Sequence, residues 1–174
     1  MQTTAQKQYT VRDYMRLEEG APYQLIRGKL VMSPAPSIKH QETVGTIYRQ
    51  IANYLEKNLL GKVFCSLIDV HFDEENVLQP DVVFIAQENL KIIRENAIYG
   101  APDLIVEVLS SFNSYYDWKE KKGTYSFFGV KEYWIVDPQD KEVVGFRNTD
   151  NGFVEFFKGK NSFSIELLNL KISI

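Results

Sequence analysis

The sequence predicts a single α/β domain, with a central sheet flanked by helices and antiparallel strands at the C-terminus. Its 174 residues, 44% of them hydrophobic, are enough to bury one proper core. The runs 82–85 and 104–109 are almost wholly apolar, which is typical of strands covered on both faces. The stretch 37–58 instead repeats its apolar residues every three or four positions, as an amphipathic helix does.

The first predicted elements are short. Thr10 can cap a helix over 11–18, which a glycine and a proline then end. Two short apolar runs follow, Tyr23–Ile26 and Lys29–Met32, and the Arg-Gly pair between them indicates a hairpin. The segment 33–36 contains two prolines, so we expect an extended connection there and no central strand.

The long helix over 37–58 carries one apolar stripe and ends before Gly61, a natural stop. The stripe consists of Val44, Ile47, Tyr48, Ile51, Tyr54 and Leu55. The remaining predicted elements are strands at 63–70 and 77–86, a short helix within 87–99, a strand at 103–109, a helix over 116–128, and strands at 131–136, 143–147, 153–158, 163–167 and 171–174.

The overall composition restricts the function classes. The formal net charge is −3 and the pI is about 5.5, which weakens the case for a protein that binds nucleic acid over its whole surface but leaves a local basic patch open. The one cysteine, Cys65, can form no intramolecular disulfide, and we interpret it as a buried thiol. Because no signal-like or membrane-spanning run is present, we expect a cytoplasmic location and no membrane partner.

Two acidic residues stand out in the buried strands. Glu107 lies inside the apolar run 104–109, where an ionised carboxylate is costly unless it is paired or bound to a metal. Asp81 opens the other buried strand, so the two carboxylates converge if these strands are neighbours in the sheet. Carboxylates suit hard cations such as Mg²⁺ or Mn²⁺. The alternative is that backbone amides or an arginine hold both acids for structural reasons.

The helix after the second strand supplies a candidate lysine. Asp117, Lys121 and Tyr125 recur at i, i+4 and i+8 on one stripe, and Lys122 is nearly as well placed. A lysine on the apolar side of a helix is expected to reach a carboxylate or a ligand, where it can orient water or oppose charge on a phosphate. A stabilising salt bridge from Lys121 to Glu107 or Asp117 is the alternative.

Several motifs together resemble the Uma2 family (DUF820), restriction-endonuclease-like proteins with the PD-(D/E)XK nuclease fold. They are YQLI at Tyr23–Ile26, MSPAP at 32–36 with His40, QPDVVFI at 79–85, APDLIVEVL at 101–109, and GVKEYWIVDP at 129–138. The resemblance implies a restriction-endonuclease-like core over about 9–147, with a central mixed sheet, followed by a β extension over 148–174. We expect residues 1–174 to form one domain.

The same resemblance assigns roles to the candidate residues. It implies that Asp81 and Glu107 are metal-binding acids, with Mg²⁺ or Mn²⁺ as the cofactor. The general nuclease pattern places a lysine two residues after the glutamate, where this chain has Leu109. The family is thought to supply its lysine from the following helix in a D-x3-K-x3-Y arrangement, which favours Lys121 over Lys122. The family usually has glutamate at the position of Gln24, and that departure predicts weaker metal binding or an impaired site.

Other residues are candidates for supporting roles. His40 either caps its helix or contacts phosphate, and with only two histidines a zinc site is disfavoured. Asp103 shares a strand face with Glu107, so it either contributes to the metal site or caps the start of the strand. Asp117 and Tyr125 accompany Lys121. Tyr133 and Trp134 are interpreted as packing residues. Four phenylalanines of the tail suit either a subunit interface or a core: Phe153, Phe156, Phe157 and Phe163.

The sequence therefore predicts a Mg²⁺-dependent endonuclease that hydrolyses DNA phosphodiester bonds through Asp81, Glu107 and Lys121. A protein that keeps the nuclease fold for DNA binding or assembly is the alternative, and metal-assisted hydrolysis of another phosphate substrate is a weaker one. DNA is the expected partner. A homodimer or higher homo-oligomer is expected, since nucleases of this kind often cut both strands as dimers.

Overall fold

The computed structural model describes residues 7–110 and 114–174. Its helices are α1 Val11–Tyr14, α2 Ile38–Lys57 and α3 Lys122–Phe127, with a π-helical turn Tyr116–Lys121 leading into α3 and 3₁₀ turns at Gln87–Ile92 and Glu166–Leu168. Its strands are β1 Tyr23–Ile26, β2 Lys29–Met32, β3 Gly61–Cys65, β4 Val70–Asp73, β5 Asn76–Leu78, β6 Val82–Ala86, β7 Ile98–Tyr99, β8 Leu104–Val108, β9 Glu132–Val136, β10 Glu142–Thr149, β11 Gly152–Lys160, β12 Ser162–Ile165 and β13 Leu170–Ser173.

The strands form two larger sheets and a C-terminal hairpin. The larger sheet has the order β11-β10-β9-β8-β6-β3, and it is mixed because β8 and β9 run parallel while its other neighbours are antiparallel. The smaller sheet has the order β2-β1-β5-β4-β7. β12 and β13 pair antiparallel with each other. The predicted mixed sheet with antiparallel C-terminal strands is confirmed.

Helix α2 covers one face of the larger sheet. The Ser37 side chain accepts a hydrogen bond from the backbone N–H of His40 and so caps the helix. The apolar stripe of α2 packs against residues of β6, β8 and β9 in one core cluster that also contains the C-terminal hairpin. The predicted bounds of 37–58 differ from the observed ones by a single residue at each end, because capping and apolar period both specify this helix.

The alternation along β8 separates two cores. Leu104, Val106 and Val108 face α2, whereas Ile105 belongs to a second cluster that includes Tyr125 of α3 and Tyr133 of β9. Glu107 follows the same alternation as Ile105, and it therefore faces the helix that carries Lys121. Tyr133 and Trp134 are fully buried, which confirms their interpretation as packing residues.

Three of the predicted elements differ most from the structure. The stretch 77–86 is not one strand, because Pro80 has no N–H to donate and the chain passes from β5 in the smaller sheet to β6 in the larger one. The stretch 63–70 likewise divides into β3 and β4, which belong to different sheets. The helix at 11–18 is only the single turn α1, as expected for a segment too short to be stable without packing.

The aromatic residues of the tail belong to the core. Phe163 is buried and lies against Trp134, with ring centroids 4.6 Å apart. Phe156 and Phe157 also contact Trp134, and Phe153 stacks on Tyr133. Of the two alternatives for these phenylalanines, the core explains their contacts.

Candidate active site

The candidate site is a cavity of about 290 Å³ at the edge of the larger sheet, where β6 begins and β8 ends. β6 and β8 are antiparallel neighbours with Val82 opposite Val106. The same register sets Asp81, just before β6, beside Glu107, and both residues line the cavity. The predicted convergence of the two acids therefore follows from the pairing of their strands.

Asp81 is held on one side of its carboxylate. Its Oδ2 atom accepts a hydrogen bond of 2.8 Å from the backbone N–H of Val108, at the end of β8. His40 Nε2 lies 3.3 Å from the same oxygen. The backbone carbonyl of Asp81 accepts from the N–H of Ser66. The strand partner and the first turn of α2 thus fix this acid from two directions.

Glu107 is almost fully buried, with 2% of its surface exposed. Its Oε1 atom accepts from Lys121 Nζ at 3.0 Å and from the Tyr125 hydroxyl at 2.6 Å. Both donors come from the helix that packs on this face of the sheet. Glu107 is therefore the point where the predicted strand motif and the predicted helix motif meet.

Lys121 lies between two carboxylates. Its Nζ atom is 3.0 Å from Glu107 Oε1 and 3.0 Å from Asp117 Oδ1. The π-helical turn that contains both Asp117 and Lys121 is tied to the sheet, since the Tyr133 hydroxyl donates a 3.0 Å hydrogen bond to the Asp117 carbonyl. The D-x3-K-x3-Y spacing brings Lys121 and Tyr125 to the Glu107 carboxylate, and it brings Asp117 to the Lys121 ammonium.

The acids Asp81, Glu107 and Asp117 form a cluster around the single ammonium group of Lys121, so negative groups outnumber positive ones. Burial raises the pKa of Glu107 above its usual range, Lys121 opposes the rise, and the nearby acids Asp117 and Asp81 add to it. Burial also raises the pKa of Asp117. Burial would lower the pKa of Lys121, but the carboxylates outweigh that effect and hold its pKa above the usual value. The two carboxylates thus favour the charged ammonium form of Lys121.

The supporting candidates are placed differently. Gln24 lines the cavity, accepts from the backbone N–H of Gln79 at 2.8 Å and donates to the Ser33 hydroxyl. His40 lines it as well. Asp103 does not, because its oxygens accept from the Ala86 backbone, the Asn89 side chain and Lys131 at the opposite end of β8. Its placement matches the alternative that it caps the start of the strand.

Lys122 points away from the site. Its Nζ atom lies 3.7 Å from the ring centroid of Phe146, outside the cavity. Sequence reasoning gave no role to several cavity residues, among them Ser33, Gln79, Ser66 and Leu67. Gln79 and Ser33 could have been found from the sequence. Gln79 belongs to the motif around Asp81, and Ser33 belongs to the motif with the two prolines. Ser66 and Leu67 had none, because they reach the cavity only through the bend between β3 and β4.

The oxygen donors form an open set. Over residues 7–110 and 114–174, no three histidine, cysteine, aspartate or glutamate side chains converge tightly enough to enclose a metal ion. Asp81 and Glu107 are two carboxylates on one wall of a cavity with room beside them. Such an arrangement differs from a closed structural metal site, in which the protein supplies every ligand.

Comparison with known proteins then identifies the family. The sequence profile of Uma2, described as "Putative restriction endonuclease", matches residues 11–174. The chain belongs to the Uma2 family. The resemblance of the five motifs is thereby confirmed, and the match extends through the C-terminal strands beyond residue 147.

A solved structure shows that this Uma2 chain has the fold of a nuclease-like relative. It is similar to the crystal structure of "a putative nuclease belonging to DUF820" from Anabaena variabilis, with a TM-score of 0.78, 19% sequence identity and coverage of 94% of each chain. No curated protein matches the chain. Within the described part of this Uma2 protein, no helix is both long and apolar enough to cross a membrane.

Proposed function

We propose that this protein is a divalent-metal-dependent endonuclease that hydrolyses DNA phosphodiester bonds. The observation that carries the proposal is the meeting of Asp81, Glu107 and Lys121 on one cavity, with the lysine ammonium 3.0 Å from the glutamate. Two acids can hold a divalent cation, and a nearby ammonium group can oppose the charge that develops on a phosphate during hydrolysis. Membership of a family described as restriction endonucleases supports the same reaction class.

The residues present fit a hard divalent cation. Asp81 and Glu107 offer oxygen donors, and Mg²⁺ and Mn²⁺ bind in proteins through one or two carboxylates together with water and substrate phosphate. The cluster contains three acids around one lysine and one histidine, so added positive charge relieves their repulsion. When bound there, the cation would polarise the phosphate and lower the pKa of a water molecule.

The side chains of the site have separate tasks in this proposal. Asp81 and Glu107 would hold the cation through their carboxylate oxygens. Lys121, kept charged by Asp117 and Glu107, orients the attacking water and opposes the negative charge that develops on the phosphate. Tyr125 donates to Glu107 and fixes its carboxylate. Gln24 forms part of the cavity wall and adds no charge to it.

Metal binding is tested by thermal unfolding. We expect saturating Mn²⁺ to raise the melting temperature of the wild type, because a ligand that binds only the folded state stabilises it. The double variant Asp81→Ala with Glu107→Ala should lose this rise. Asp140→Ala, which removes an acid at an exposed turn, should keep it. If neither Mn²⁺ nor Mg²⁺ changes the melting temperature of the wild type, the proposal is contradicted.

Catalysis is tested by plasmid cleavage. Lys121→Ala should reduce the cleavage rate by about 100- to 1,000-fold, the effect of removing one preorganised group that stabilises the transition state. Lys122→Ala is the matched control and should retain the rate, since its ammonium lies over Phe146. If the wild type binds metal and DNA but cuts neither plasmid nor oligonucleotide, the alternative of a non-catalytic nuclease fold replaces the enzyme.

Cleavage of both strands of a duplex in one binding event takes two such sites. We therefore propose a homodimer or higher homo-oligomer acting on DNA in the cytoplasm. Light scattering of the purified protein, with and without duplex DNA, measures the assembly state. A strictly monomeric protein that makes only single-strand nicks would contradict the dimer and leave the chemistry of the site unchanged.

A further inference from the structure

We propose that His40 is a positioning residue, whose Nε2–H group holds Asp81 Oδ2 so that the other oxygen of Asp81 is presented to the cation. The inference rests on the proposed function for the presence of a cation. The contact between His40 and Asp81 can be tested without one.

The backbone places His40 firmly at the cavity. It lies in the first turn of α2, and its own N–H donates to the Ser37 cap at 3.2 Å. The helix is anchored further along by the buried residues Val44 and Ile47. Only 6% of the surface of His40 is exposed, so its ring cannot turn towards solvent without displacing the helix. The imidazole is therefore a fixed part of the cavity wall.

The contacts of Asp81 are unevenly distributed between its oxygens. Val108 N–H donates to Oδ2 at 2.8 Å, and His40 Nε2 lies 3.3 Å from that same atom. Two donors on one carboxylate oxygen fix the rotation of the group and leave the second oxygen for a ligand. Loss of a group that orients a metal-binding side chain in this way typically costs about 10- to 100-fold in metal affinity.

The second nitrogen of His40 indicates which ring atom carries the hydrogen. Among the buried side-chain polar atoms of the described residues, His40 Nδ1 has neither a hydrogen bond nor an ion pair, and it belongs to a residue that lines this cavity. The backbone of Val108 also lies beside the imidazole ring. A hydrogen on Nε2 points towards Asp81 Oδ2, 3.3 Å away, whereas Nδ1 has no partner in hydrogen-bond geometry.

Nitrogen NMR of the imidazoles tests the contact directly. The chain has only two histidines, so His71→Gln assigns both rings. At a pH where the rings are neutral, we expect His40 to carry its hydrogen on Nε2. We also expect the Nε2 resonance of His40 to shift in Asp81→Ala while His71 stays unchanged. A hydrogen on Nδ1 would leave Nε2 free as a metal ligand, and that result, or an unmoved resonance, overturns the proposal.

Calorimetric titration with Mn²⁺ tests the consequence. We expect His40→Leu to weaken Mn²⁺ binding about 10- to 100-fold, as the loss of a group that orients a ligand does. His40→Gln keeps a side-chain N–H donor and should recover part of the affinity, while His71→Gln should match the wild type. Wild-type affinity in a folded His40→Leu protein overturns the proposal. If the wild type itself binds no Mn²⁺, the proposed function fails together with the cation-presenting role, and the NMR result alone decides whether His40 holds Asp81.

Discussion

At the scale of single residues, β8 shows how differently two buried acids can be used. Asp103 and Glu107 are both 2% exposed and share one strand face in the sequence pattern. Asp103 accepts from Ala86, Asn89 and Lys131, and these contacts outweigh burial so that its pKa is lowered. Burial raises the pKa of Glu107, and the neighbouring acids Asp117 and Asp81 add to the rise. An acid that its neighbours fully satisfy is structural, whereas one left short of positive charge is the better candidate for a cation.

Asp103 therefore makes stability depend on acid pH. Because its folded pKa lies below the unfolded value of about 3.9, the carboxylate stabilises the protein above that pH and loses its contribution as pH falls through the folded pKa. We expect Asp103→Asn to lower the free energy of unfolding by about 1–3 kcal/mol at neutral pH, because a charged acceptor of three hydrogen bonds is lost. The deficit should shrink in strong acid.

Urea unfolding of wild type and Asp103→Asn at several pH values measures this difference. Asp150→Asn, at the tip of the hairpin between β10 and β11, serves as the matched control and should follow the wild type throughout. A deficit of constant size at every pH would mean that the carboxylate charge of Asp103 contributes nothing.

The sequence could reveal which acids are buried but could not distinguish Asp103 from Glu107. The alternation of side chains placed both on one face, and the resemblance singled out Glu107 alone. Their partners, such as Asn89 from a 3₁₀ turn, come from distant segments that no local pattern connects. The partners of Gln24 also could not be predicted from the sequence. Only the structure shows that its side-chain oxygen accepts from the Gln79 N–H and that its side-chain NH₂ donates to the Ser33 hydroxyl.

At the scale of secondary-structure elements, strong local signals gave the right result and weak ones did not. Helix α2 has a cap and a full apolar stripe, so its bounds were predictable to one residue. The division of 77–86 into β5 and β6 was not, since both halves are apolar and only the proline marks the break. The π-helical turn Tyr116–Lys121 was also unpredictable, because i, i+4 spacing is common to α-helical and π-helical faces.

That π-helical turn depends on a contact from the sheet. The Tyr133 hydroxyl is buried and donates to the main-chain carbonyl of Asp117. We expect Tyr133→Phe to lower the free energy of unfolding by about 0.5–1.5 kcal/mol, because one buried hydrogen bond to that carbonyl is lost. The rate of DNA cleavage should fall as well, since the turn positions Lys121, while Mn²⁺ should still raise the melting temperature.

Denaturant unfolding and plasmid cleavage check both effects of Tyr133→Phe. Tyr99→Phe removes a hydroxyl from a half-exposed ring, and it should leave stability and cleavage near the wild type. If Tyr133→Phe cleaves DNA at the wild-type rate despite lower stability, the turn stabilises the fold without positioning the lysine.

At the scale of the whole molecule, the C-terminal segment is part of the main core. The sequence prediction separates a core of about 9–147 from an extension of 148–174. Phe163, Ile165 and Ile172 belong to the same buried cluster as α2 and Trp134. Glu132 of β9 also accepts from the Leu167 backbone, which ties the segment after β12 to the larger sheet. One cooperative unit is the expected consequence of a shared core.

Phe163→Ala tests that cooperativity. Removing a buried phenylalanine typically costs about 3–5 kcal/mol, a large part of the 5–15 kcal/mol that holds a domain together. We expect the whole protein to unfold at a lower temperature in a single transition, with circular dichroism and the fluorescence of the two tryptophans changing together. Phe127→Ala is the matched control, because its ring is 84% exposed and should contribute less than about 0.5 kcal/mol. Two separate transitions, of which Phe163→Ala moves only one, would instead mean that residues 148–174 fold independently of the rest of the chain.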